Sequence, residues 1–164
     1  MADQTDNQYL TFGIDGETYA VPVGKVREVL EYMKPTKLPK TAEYLKGIIN
    51  VRGSGIPVVD LRNRFGLPEI PVTKDTAVIV MEIADAEGRS LVIGALTDEV
   101  HEVVEMVDDQ MEAAPRFGTR IDSAFIHAIG KRGDAFVIVL DIDKAFRVEE
   151  AAELSRAAGT GSGG

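Results

Sequence analysis

Reactive side chains are few in this sequence. His101 and His127 are the only histidines and there is no cysteine, which removes disulfides, thiolate metal ligands and a cysteine nucleophile together. His127 falls in a strand-like apolar stretch (Ile126, Ala128, Ile129), and His101 takes an exposed slot between Val100 and Glu102. Neither has the local partners that a metal site or a general base needs, so no metal or other cofactor is expected. Asp141 and Asp143 share one face of a predicted strand and form an acidic pair able to hold a cation. Their counterpart in the first half is Arg62 rather than a second acid, so the pair reads as solvated turn acids. Arg52 is the most distinctive cation. It opens Arg52-Gly53-Ser54-Gly55 with no carboxylate beside it in sequence. That turn lies between two strands and precedes no helix, so it is no phosphate loop. A guanidinium at a hairpin mouth among apolar residues has the composition of a recognition hot spot; the competing reading is an internal brace to Glu28 or Glu102.

The elements that must hold Arg52 run from Gly47 to Phe65. Ile48 to Val51 and Ile56 to Val59 are β-branched apolar runs that favour a pleated, buried surface. The glycines between them suit a tight hairpin with positive φ. Pro57 gives no N–H to a ladder, so an edge strand is expected there. Asp60 is placed to start a helical turn, Leu61 to Phe65, that Gly66 ends. Upstream, Tyr9 to Ile14 alternates, Asp15-Gly16 is a hairpin signal, and Thr18 to Val21 returns as its partner. Val23, Val26, Val29 and Leu30 then follow helical spacing, a short turn before Pro35 and Pro39 impose extended chain. Tyr44 to Lys46 reads as another turn.

The second half repeats this plan. Thr76 to Ile83 and Leu91 to Leu96 are predicted strands around a loop at Asp85 to Arg89. Val100, Glu102, Val103 and Val104 match Val26, Glu28, Val29 and Leu30 at a shift of 74 residues, and Val139-Leu140-Asp141-Ile142 with Phe146 matches Val58-Val59-Asp60-Leu61 with Phe65 at a shift of 81. The order of parts is the same in both halves, which points to a duplicated unit with a pseudo-two-fold axis. Val78 to Met81 and Phe136 to Leu140 are apolar on both faces and are expected to lie buried between layers. The fold class expected is mainly β: two small five-stranded antiparallel β-barrel subdomains on a shared hydrophobic core, with short helices. The first barrel spans about 8–66, a connector 67–75, and the second barrel about 76–148, with exchange of strands between halves allowed. Residues 1–7 read as a disordered N-terminus, 149–158 as a C-terminal helix and 159–164 as a flexible tail.

Charge bounds the partners. Lys+Arg 18 against Asp+Glu 27 leaves a net charge of −9, which argues against nucleic acid and against an anionic membrane surface. Basic residues of the first half concentrate between Lys25 and Arg64, while Asp98 to Glu112 is rich in acids and has no lysine or arginine. Polarisation of that kind suits protein recognition more than catalysis, while the acidic stretch by itself reads first as a solvent-facing loop and strand edge and second as a docking face. With neither a leader-like N-terminus nor an apolar run of membrane-spanning length, a cytoplasmic protein without membrane insertion is expected.

The chain resembles the CheW family of bacterial chemotaxis coupling proteins over about residues 8 to 148. The resemblance rests on Gly47-Ile-Ile-Asn-Val-Arg-Gly-x-x-Ile-Pro-Val-Val-Asp-Leu-Arg, on Tyr9-Leu-Thr-Phe with Tyr19-Ala-Val-Pro-Val, and on Val26-x-Glu-Val-Leu30, Leu38-Pro39 and Leu140-Asp-Ile-Asp-Lys144. It implies a scaffold without catalysis that is a monomer when isolated. Such a scaffold takes the cytoplasmic hairpin tip of a chemoreceptor in one groove, pairs elsewhere with the regulatory domain of the histidine kinase CheA, and joins membrane-associated receptor arrays through those partners. Mapped by motif, the receptor-binding residues are Val26, Glu28, Gly47, Asn50, Arg52, Gly53 and Val103, with Gly94 nearby. The kinase-binding side falls on Glu31, Tyr32, Lys34, Thr36 and Leu38. Gly94-Ala95-Leu96 departs from the larger aliphatics usual in the family after that glycine. Two other readings compete: a similar binding module of another receptor–kinase pathway, in surface motility or development, and a small enzyme using the acidic pair.

Overall fold

The computed structural model describes residues 7–84, 88–107, 111–112 and 125–144. The two terminal segments, Phe146 and most of the 85–89 loop lie outside the described residues. The first half builds β1 (Gln8–Ile14), β2 (Glu17–Pro22), β3 (Val26–Glu31), β4 (Leu45–Val51), β5 (Ser54–Asp60) and a single helical turn, α1 (Leu61–Arg64). The second builds β6 (Ala77–Ala84), β7 (Ser90–Thr97), β8 (Glu99–Glu105), the two-residue β9 (Met111–Glu112), β10 (Ile126–Arg132) and β11 (Ala135–Leu140), closed by a 3-10 turn at Ile142–Lys144. Mainly β structure with short helices is what the sequence indicates.

Two sheets form, ordered β8-β1-β2-β11-β10-β9 and β3-β6-β7-β5-β4. Each takes a hairpin from one half and its remaining strands from the other, so β1–β2 and β6–β7 are exchanged. Pairing is antiparallel except at two seams, β2 with β11 and β5 with β7, which run parallel. These seams depart from the all-antiparallel expectation: strands from different halves meet there, so no hairpin fixes their direction. The five-stranded sheet curls until its margins approach. The chain leaving β3 returns to β4 at Thr36, where Thr36 N–H donates to Ile48 O (2.8 Å) and Ile48 N–H to Thr36 O (2.9 Å).

Alternation along the inner strands sorts side chains into three cores. Phe12, Tyr19, Val59, Ile79, Met81, Ile93 and Leu140 fill the core shared by the sheets. Val58, Val78 and Val80 fill the hollow of the five-stranded sheet; Tyr9, Ala20, Val137 and Val139 fill that of the six-stranded one. Val78 to Met81 is therefore buried on both faces, at roughly 1.5–3 kcal/mol for each large aliphatic side chain. Phe136 to Leu140, expected to be buried likewise, differs at one end: Phe136 is 59% exposed, because β11 runs past the shared core there.

Four other local expectations are corrected. Of the helical turn expected over Val23 to Leu30, only a 3-10 turn at Val23–Lys25 forms, and β3 follows. A bulge between Val26 and Glu28 inserts one residue and flips the face, so valines three apart mimic helical spacing. Val100 to Val104 repeats the effect in β8, where His101 and Glu102 together oppose Thr11. The turn at Tyr44 to Lys46 is mostly strand, with Leu45 opening β4. β5 is an interior strand, yet at Pro57 it pairs only with β4, since the β7 ladder starts at Val58. Asp141 and Asp143 lie beyond β11, on and before the closing 3-10 turn, and share no strand face.

Candidate functional site

Arg52 owes its position to a two-residue turn. Val51 pairs with Ser54, and Arg52 and Gly53 between them both have positive φ, 51° and 89°. This is the type I′ pattern that matches strand twist. Arginine occupies that region at a cost, and Asn50 compensates by accepting the Gly53 N–H at 2.8 Å. Asn50 and Gly53 thus act on the backbone. The guanidinium swings to β3, at the opposite margin of the sheet, where Arg52 Nη2 meets Glu28 Oε1 at 2.8 Å and Oε2 at 2.6 Å. The brace to Glu28 exists, and Arg52 remains 74% exposed by side chain. Such a pair is worth about 1 kcal/mol or less to the fold and leaves most of the guanidinium open to a partner.

Around this pair the expected residues separate by role. Val26 is half-buried and packs on the shared core. Gly47 is buried with φ 138°, and a side chain there would collide with Thr36 O, so its role is to let the Thr36 segment lie on β4. Gly94 is buried at the β5–β7 seam, where a Cβ would come within 2.7 Å of Val78 Cγ1. It serves packing and presents no surface. Val103, 54% exposed, and Val29, 44% exposed, are equivalents in the repeat, one on each sheet's outer strand. Of the other set, Glu31 ends β3, and Tyr32 is half-buried while Lys34 and Thr36 are exposed. Leu38 anchors that strap on the shared core. The structure thus brings Glu28, Asn50, Arg52 and Gly53 together and carries the Glu31 to Leu38 strap along the neighbouring edge.

Each acid of the expected pair is engaged internally. Asp143 Oδ2 accepts from Lys25 Nζ at 2.7 Å and its Oδ1 accepts the Ala84 N–H at 2.9 Å; Asp141 lies 3.7 Å from Lys144 Nζ. His101 sits 3.2 Å from Glu99 and His127 is exposed. Among the described residues no group of three His, Cys, Asp or Glu could hold a metal ion. The Lys46 ammonium, hydrogen-bonded to Glu69, draws that carboxyl below the usual range, and Arg27 does the same to Glu82. Sequence reasoning missed Arg62, a buried cation whose Nη1 meets Asp98 Oδ2 at 2.7 Å while Nε donates to Pro68 O at 2.8 Å. The signal was its place opposite Asp143 in the repeat.

Residues 8–150 match the family model described as a CheW-like domain. The chemotaxis protein CheW of Bacillus subtilis is 30% identical over 138 residues, covering 84% of this chain and 85% of that protein. Protein PilI of Pseudomonas aeruginosa is 30% identical over 128 residues, 77% of this chain and 68% of that one. Among solved structures, the scaffolding protein TtCheW from Thermoanaerobacter tengcongensis superposes with a TM-score of 0.77 at 33% identity, covering 88% of this chain and 95% of that chain.

Proposed function

The chain belongs to the CheW-like family, a family of scaffold proteins of bacterial chemotaxis, and on that premise we propose that it couples chemoreceptors to the histidine kinase CheA without catalysis of its own. In this reading the receptor's cytoplasmic hairpin tip engages the Glu28–Arg52 edge of the five-stranded sheet. The kinase regulatory domain engages the strap from Glu31 to Leu38. The protein works in the cytoplasm and reaches membrane-associated arrays through these partners. No helix among the described residues is long and apolar enough to cross a membrane, which accords with recruitment by partners.

The carrying observation is Arg52 itself: a guanidinium pinned by Glu28 yet 74% exposed, so a partner can use it without first rebuilding the turn. Preorganised arginines that a partner desolvates on binding are frequent hot spots. Arg52→Ala is expected to weaken retention on an immobilised receptor cytoplasmic fragment by about tenfold or more while shifting thermal unfolding by less than about 2 °C. Binding to the kinase regulatory domain should persist. Undiminished receptor binding, or a loss matched by unfolding several degrees lower, overturns the assignment. The similarity to PilI, a relative not named for chemotaxis, favours one second reading, the same coupling in another receptor–kinase pathway; receptor fragments of the two pathways, compared in that assay, separate them.

A further inference from the structure

Each parallel seam ends in a close ion pair across it, and the two pairs have opposite polarities. At the β5–β7 seam Val58 lies beside Gly94 and Asp60 beside Leu96. Two residues past that pair in each segment, Arg62 Nη1 meets Asp98 Oδ2 at 2.7 Å, and Arg62 Nη2 also lies 3.4 Å from Asp15 Oδ1 in the β1–β2 turn. At the β2–β11 seam Ala20 lies beside Val139, and just beyond it Lys25 Nζ meets Asp143 Oδ2 at 2.7 Å. The shifts of 81 and 74 residues carry Val58 onto Val139 and Ala20 onto Gly94, so the seams are equivalents. They also carry Arg62 onto Asp143, and place Asp98 opposite Gly24, next to Lys25. In one seam the cation follows the fifth strand of a half; in the other it follows the second.

Apolar patterning toward the shared core does not explain why the hairpins are exchanged. β1–β2 turns Phe12, Ile14, Tyr19 and Val21 to the shared core, and β6–β7 turns Ile79, Met81, Ile93 and Ala95 to the same core. On that face either hairpin could serve either sheet, while their opposite faces differ, Tyr9, Thr11 and Ala20 on one and Val78, Val80 and Gly94 on the other. In a same-half arrangement, with β2 beside β5 and β7 beside β11, the seam charges would meet differently. Arg62 would face Lys25, and Asp143 would face Asp98. We propose that these inverted ion pairs select the exchanged topology, because the same-half alternative brings like charges together at both seams. Arg62 makes the selection severe. Its side chain is buried, so in the alternative it would exchange Asp98 for a second cation where water cannot screen either. The pairs act by excluding a competitor whose shared-core face is equally apolar.

Because the chain has no cysteine, introduced cysteine pairs report topology without background. Glu17→Cys with Phe136→Cys, two residues before the Tyr19–Ile138 register pair, reads the exchanged seam. Glu17→Cys with Gly55→Cys, the counterpart of Phe136 in the repeat, reads the same-half seam. Two backgrounds are compared after refolding of the full chain from denaturant under oxidation: Lys25→Gln/Asp143→Asn and Lys25→Glu/Asp143→Asn. Both remove the native pair and keep an amide oxygen for the Ala84 N–H. They differ in what Arg62 would meet in the alternative, an amide or a carboxylate. The same-half cross-link is expected to be about fivefold or more abundant with glutamate than with glutamine, with the exchanged cross-link reduced in step. Equal yields in the two backgrounds, whether low or high, overturn the proposal. Should a double variant fail to fold, Lys25→Gln and Lys25→Glu alone, with Asp143 retained, are compared by the same cross-links and the same criterion.

Discussion

Asp60 is a buried carboxylate whose side chain caps the turn that follows it, accepting the Arg62 N–H at 2.9 Å. Loss of solvent lifts its pKa above the ordinary 3.8, and this outweighs the opposing pull of the Arg62 N–H and of Lys46. In the window between 3.8 and the raised value, the folded chain holds a proton that the unfolded chain has released. Its contribution is therefore full below pH 3.8 and is lost as pH rises through the folded pKa. Asn keeps a capping oxygen and has nothing to titrate. Asp60→Asn should gain on the parent as pH is raised from about 3.5 to 7, the melting-temperature difference moving in the variant's favour. Thermal melts at the two ends read this, and a difference that is flat or runs the other way refutes it. The contrast with the arginines is one of environment. The exposed Arg52 pair adds about 1 kcal/mol or less, whereas removing Asp98 from the buried Arg62 leaves only the longer 3.4 Å contact to Asp15 and costs more, up to roughly 3–5 kcal/mol.

The strap between β3 and β4 is held to the sheet by one reciprocal bridge, Thr36 to Ile48, and Gly47 is the residue that permits it. Gly47 has φ 138°, and any Cβ would strike Thr36 O. Gly47→Ala should lift the strap and expose two amides. The expected loss is about 2 kcal/mol, or roughly 4–8 °C in melting temperature. Hydrogen exchange should accelerate at Thr36 and Ile48 and not in β6. Protected amides at both positions in the variant would contradict this account. How far such elements can be read from sequence depends on whether local and tertiary signals agree. The Asp15-Gly16 and Arg52-Gly53 turns and the strands around them were legible because glycine chemistry and alternation agreed. β3 and β8 were not, since a bulge in each sets valines at helical spacing. Glu28–Arg52 was legible only as one of two candidate braces, because Glu28 lies across the sheet, at a margin brought near by curling. Arg62–Asp98 was invisible for a further reason: it depends on strands from different halves meeting at a parallel seam, which no local pattern encodes.

At the scale of the molecule, exchange makes the halves interdependent. Neither sheet contains a complete set of strands from one half, and the shared core draws Phe12, Tyr19 and Phe65 from the first half and Ile79, Ile93 and Leu140 from the second. The stacks Phe12–Tyr19 and Tyr19–Phe65, with ring centroids 6.1 and 5.3 Å apart, join β1–β2 to α1 across that core. Arg64 adds a further tie, its guanidinium 5.4 Å from the Tyr44 ring and 5.2 Å from that of Phe125. Cutting the chain in the connector, between Gly66 and Thr76, would leave each fragment with a hairpin whose seam partner is on the other piece. Each fragment would also expose the apolar faces that the complete chain buries. The only closed arrangement open to residues 1–70 alone sets Arg62 against Lys25, and that open to residues 71–164 sets Asp143 against Asp98. Both fragments are therefore expected to be largely unfolded by circular dichroism when separate and to recover strand signal when mixed, eluting as a 1:1 complex. A fragment that folds alone into a monomer with a cooperative melt would show that a half closes on itself, and that the exchanged hairpins are an accident of connection rather than a consequence of the seam charges.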